Sequence, residues 1–76
     1  MRTRTFQVLV EQDEDGVFVA EIPGIKACYA QGDTYEEALA NVQDVLEMCL
    51  AEMKKRREPI PTQNEIIGVK RMKVAV

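Results

Sequence analysis

One apolar stripe constrains this chain more than any other feature. Leu39, Val42, Leu46, Cys49 or Leu50, and Met53 recur at steps of three and four, which places them on one side of an α-helix. Glu36, Gln43, Asp44, Glu47 and Lys54 fall mostly off that side. The start of the helix is marked by Gly32-Asp33-Thr34-Tyr35-Glu36-Glu37, where Thr34 stands three residues ahead of Glu37 as in a capping box and acids fill the first turn. Lys54 to Arg57 suit the negative C-terminus, and Pro59-Ile60-Pro61 cannot continue the helix, so it is predicted to stop near residue 57. A helix this one-sided must lay its stripe on another layer.

The residues before it supply that layer. From Thr5 to Glu11 the chain alternates, with Phe6, Val8 and Val10 on one face and Thr5, Gln7, Leu9 and Glu11 on the other, the pattern of a half-buried strand. Gln12-Asp13-Glu14-Asp15-Gly16 reads as a hairpin turn closing on a glycine, and Val17 to Ile22 reads as the second arm. Pro23-Gly24 ends that arm, and a short third strand is predicted through Ala27-Cys28-Tyr29-Ala30-Gln31. After the helix, Met72, Val74 and Val76 share parity within Val69–Val76, which predicts a C-terminal strand carrying Lys70, Arg71 and Lys73. The expected fold is therefore α+β in the order β-β-β-α-β: a three-stranded antiparallel meander, one long helix packed on it, and a C-terminal strand.

Length and composition limit what such a fold can do. The 76 residues leave no room for a second domain of ordinary size, so residues 1–76 are read as one domain. At this length roughly 60% of the unfolded surface is buried on folding, which makes the core thin and association with a copy expected. No uninterrupted apolar run exceeds four residues, so neither a transmembrane helix nor a signal peptide is expected. Cys28 and Cys49 lack both Cys-x-x-Cys spacing and the density of a disulfide framework, and a reducing cytoplasm is the simplest compartment.

Charge is distributed unevenly. Residues 1–53 carry a formal −8 and residues 54–76 a formal +5. An acidic body attracts basic proteins and repels phosphates, whereas a basic tail does the reverse, so the two parts suit different partners.

Candidate chemistry is sparse. The chain has no histidine, which removes imidazole-based triads and metal sites. Glu11-x-Asp13-x-Asp15-Gly16 imitates the start of a calcium loop, but the twelfth position from Glu11 is Ile22 rather than a bidentate glutamate, and the segment is read as a solvated turn. Cys28 and Cys49 have no base to activate them, and both are read as small buried side chains. The four glycines lie far apart and begin no phosphate loop. No catalytic residue, cofactor or metal is expected. Lys54 to Arg57 are read as helix-terminal cations, which leaves Lys70, Arg71 and Lys73 as candidate nucleic-acid contacts.

Taken together, Phe6 to Val10, Asp13-Glu14-Asp15-Gly16-Val17-Phe18-Val19-Ala20, Ile22-Pro23, Cys28, and Gln31-Gly32-Asp33-Thr34-Tyr35-Glu36-Glu37-Ala38-Leu39 with Asn41 resemble the HicB antitoxin family. The resemblance spans roughly residues 5 to 53, and its most specific part is the Gly-Asp-Thr-x-Glu-Glu-Ala string placed after an Asp-Gly hairpin. It implies a partial, degenerate RNase H-like fold without nuclease activity, and a partner that is a small basic RNA-cleaving toxin, HicA, neutralised by covering its active face. Two departures stand out. Ile25-Lys26-Ala27 replaces the Leu-Pro-Gly that often precedes the cysteine, and nothing after Arg57 is long enough for the helix-turn-helix that many relatives carry. Gly16, Pro23, Gly32, Asp33, Thr34 and Glu37 are assigned structural roles.

Two functions remain open at this point. The first is a cytoplasmic, homo-oligomeric antitoxin of a type II toxin-antitoxin system. The alternative is an orphan oligomer that binds nucleic acid through Lys70, Arg71 and Lys73.

Overall fold

The computed structural model describes residues 3–76. Three antiparallel strands, β1 (Leu9–Gln12), β2 (Phe18–Glu21) and β3 (Tyr29–Gly32), form a sheet in the order β1-β2-β3, followed by one helix, α1 (Tyr35–Arg56). The α+β meander and helix are as expected. β1 is shorter than its alternation predicts because its partner gives out: Leu9 pairs with Glu21, and β2 then runs into Pro23, which has no N–H for a ladder. Phe6 and Val8 nonetheless keep their parity with Val10 and pack against the core.

Each turn has a local cause. In the β1–β2 hairpin, Asp13 Oδ1 accepts from the backbone N–H of Asp15 at 2.9 Å and of Val17 at 3.0 Å, while Gly16 takes φ 84°. Between β2 and β3 the chain needs a left-handed residue at 27, and Ala27 adopts φ 57°. Ala27 occupies the glycine position of the Leu-Pro-Gly pattern, so the departure there keeps the backbone shape that a glycine adopts without strain. Thr34 caps α1, its Oγ1 accepting from Glu37 N–H at 3.0 Å. At the other end Arg57 is left-handed at φ 57°, with Arg57 N–H donating to Lys54 O and Glu58 N–H to Met53 O, a Schellman closure.

The core is small: Ala20, Ile22, Ile25, Cys28, Ala38 and Val42 are its buried members. Ile25, from the β2–β3 loop, is one that periodicity did not single out. α1 lies chiefly over β3 and β2. Its buried line accordingly runs through Ala38 and Val42, with Val45 and Cys49 packed alongside, while Leu39, Leu46 and Leu50 sit on the flank toward residues 3–8. The predicted stripe is thus real but wider than the sheet covers. Two contacts hold helix to sheet at its N-terminal end: Asn41 Nδ2 donates to Gln31 O at 2.8 Å, and Gly32 lies flat beneath the first turn.

The predicted C-terminal strand is corrected. Residues 58–76 contain no strand or helix. The chain returns from α1 to the start of the sheet and is fastened there by two glutamines. Gln63 Nε2 donates to Gln7 O (3.0 Å) and Pro23 O (2.8 Å), and Gln63 Oε1 accepts from Gln7 N–H (2.7 Å). Gln7 answers with its own amide, accepting from Ile66 N–H at 3.1 Å and donating to Asn64 O at 3.1 Å. A side chain thus takes the place a strand's backbone would have taken. Beyond Ile66 the alternating residues have no ladder to join within one chain, and a strand without a partner does not form. The radius of gyration, 14.7 Å, exceeds the about 11 Å expected for this length because that segment projects.

Candidate protein-binding face

The strand register divides the sheet into two surfaces. On the helix side stand Val10, Ala20 and Ala30 in one cross-strand row and Gln12, Phe18 and Gly32 in the next. On the outer side stand Leu9, Glu21 and Tyr29 in one row, and Glu11, Val19 and Gln31 in the other. Side chains alternate across a strand, so burying one set obliges the other to face out. Glu11, Glu21, Tyr29 and Gln31 are exposed, and Leu9 and Val19 are half-buried. Tyr29 is 63% exposed, a large aromatic directly across from the Glu21 carboxylate.

The hairpin extends this surface with Asp13, Glu14 and Asp15 at its tip. Neither ion pair among the described residues involves any of these acids; both join Arg56 to Glu52 and Glu58 at the far end of α1. Apolar centre, aromatic anchor and negative surround make a face suited to a basic protein surface. Sequence patterning by itself marks none of Glu11, Glu21 and Tyr29 as functional. The signal was present in the parity of β1, whose outward set contains Glu11, but which acids share a face depends on the register between strands.

The remaining candidates resolve differently. Lys70, Arg71 and Lys73 lie on the projecting segment, exposed and outside regular structure. Among the described residues no three of His, Cys, Asp and Glu gather to hold a metal ion. Asp13, central to the calcium-loop imitation, spends one carboxylate oxygen on two backbone N–H groups of its own turn.

Cys28 is buried, and its thiol is pushed up to about 11, first by burial and then by the neighbouring Cys49. A protonated, covered thiol is a poor nucleophile. The unfolded chain releases this proton from the ordinary value of 9.0, whereas the folded chain holds it to about 11. Cys28 therefore contributes stability that is complete below pH 9 and is lost as pH rises through 11. Alkylation of the native protein at pH 8 is expected to spare Cys28 and modify it fully in denaturant, measured by mass spectrometry. Labelling of Cys28 at the rate of the denatured chain would contradict this.

The fold and surface together define a class: a small two-layer α+β module with one sheet face covered by a helix and the other open to solvent. No helix among the described residues is long and apolar enough to cross a membrane. The sequence profile described as the HicB-like antitoxin of bacterial toxin-antitoxin systems matches residues 6–73. Relatives include a UPF0150 protein of Synechocystis sp., 39% identical over 74 residues that cover 97% of this chain and all of the relative. A UPF0150 protein of Thermoplasma acidophilum is 36% identical over 78% of this chain and 86% of its own length. One of Archaeoglobus fulgidus is 33% identical over 91% of this chain and 93% of its own length. No solved structure matches. The chain belongs to the HicB-like antitoxin family, and an antitoxin role in a toxin-antitoxin system follows from that membership.

Proposed function

We propose that this protein neutralises a small, basic, RNA-cleaving toxin of the HicA type by covering it with the outer sheet face, and that it does so without chemistry of its own. The observation that carries this reading is the juxtaposition of Glu11, Glu21 and Tyr29 on one open surface of a chain from an antitoxin family. A ribonuclease binds phosphates with a positive surface, and an acidic face competes for that surface. Tyrosine suits the centre of such an interface, since it offers a large rigid contact and a hydroxyl for little side-chain entropy. This reading places the protein in the cytoplasm, where the toxin's RNA is.

Co-expression with the adjacent open reading frame tests it. The expected result is one complex on size-exclusion chromatography and relief of the growth arrest that the neighbour causes alone. A protein that elutes by itself, retains RNA, and loses that retention when Lys70, Arg71 and Lys73 become alanine would move the function to the tail.

A further inference from the structure

The flank of α1 that the sheet leaves uncovered forms an apolar groove of about 1000 Å³ with residues 3–8, lined chiefly by Phe6, Val8, Leu39, Leu46, Leu50 and Ile60. The same chain carries an apolar segment with nothing to bury against. Ile67 (88%), Val69 (90%), Met72 (79%) and Val74 (75%) are almost fully exposed. We propose that residues 67–76 are an exchanged arm, which lies as a strand in the groove of a second copy of this chain while that copy's arm fills the first.

Several observations fix the occupant. The arm has strand alternation, with Met72, Val74 and Val76 in one row and Ile67, Val69, Arg71 and Lys73 in the other. One row enters an apolar groove and the other stays in water. Met72 to Val76 as a strand spans about 13 Å, and Leu39 to Leu50 along a helix spans about 16 Å, so the row fits the groove's length. Residues 3–8 belong to no ladder, and apart from Gln7, whose N–H and C=O are taken by Gln63, they offer an incoming strand a backbone to pair with. Lys70 shares the inward row, and Glu47 lines the groove that would receive it. The clasp between Gln63 and Gln7 anchors the arm at Ile66. Beyond it Gly68 has no atom within 4 Å of where its Cβ would stand, so the arm leaves its own body freely. Exchange between identical chains is reciprocal and closes as a two-fold dimer. The interface is separate from the outer sheet face, so this inference stands or falls independently of the toxin.

Light scattering on the full chain and on a chain ending at Ile66 tests it. The full chain is expected to be a dimer and the shortened one a monomer with unchanged helical circular dichroism. M72D/V74D in the full chain, which touches nothing in the body, is expected to weaken dimerisation at least about 100-fold. In a Cys49→Ser background, a copy with Val74→Cys mixed with a copy with Leu46→Cys should form a covalent dimer on oxidation. A monomeric full chain, whether its arm folds onto its own groove or stays free until toxin or RNA is added, would overturn the proposal. A dimer that survives loss of the arm would do the same.

Discussion

Gly32→Ala is expected to destabilise the protein by about 2–3 kcal/mol, more than any other single methyl added to the chain. A Cβ at residue 32 would stand 2.6 Å from Ala38 N and 2.9 Å from both Glu37 C and Glu37 Cβ. Two of those atoms are helix backbone, which has no rotamer by which to move away. Nor can the first turn of α1 lift, because Thr34 caps it and Asn41 ties it to Gln31 O. With stability on the order of 4–11 kcal/mol for this length, the loss would lower the unfolding midpoint by roughly 10–20 °C. Thermal and urea unfolding followed by circular dichroism would measure it. Gly68→Ala is the control: nothing lies within 4 Å of that position, and a change below about 0.5 kcal/mol is expected. Equal effects at the two sites would show that Gly32 matters through chain entropy rather than through its closeness to the helix.

The second large effect is expected in binding. Tyr29→Ala and Glu21→Lys should each weaken the complex with the toxin by about 30- to 300-fold, while leaving the fold unchanged because both side chains face solvent. The two variants should differ in kind. Glu21→Lys should slow association and do so less at high salt, whereas Tyr29→Ala should mainly speed dissociation. Surface plasmon resonance across a salt series separates them. Growth-arrest relief should fall in parallel. Unchanged affinity in both variants would remove the outer sheet face from the toxin interface and leave the family assignment standing.

Much of the fold was legible in the chain because local rules carried it. The helix began and ended where Thr34, Glu37 and the basic last turn said, since caps and helix dipoles act within a few residues. The hairpin followed from alternation on either side of Asp13 to Gly16. Three things were not legible. Leu39, Leu46 and Leu50 belong to the same periodic stripe as Val42, and only the helix's position over β3 and β2 leaves them at a groove. Val69 to Val76 has the pattern of a strand, but a strand exists only with a partner, and pattern says nothing of whether one is in reach. Ile25 is buried because a loop folds inward, which no periodicity announces.

The candidate site divides along the same line. Its ingredients, an acidic body, two tyrosines and no imidazole, can be counted in the chain. Their assembly into one face cannot, because Glu11, Glu21 and Tyr29 come from three strands and meet only through the pairing of Leu9 with Glu21 and of Glu21 with Tyr29. Sequence alone therefore determined the helix with its two ends and the three-stranded meander with its turns, through the short-range forces of periodicity, capping and backbone sterics. Tertiary structure decided which faces those segments share and which they leave open, because burial and strand pairing join residues far apart in the chain.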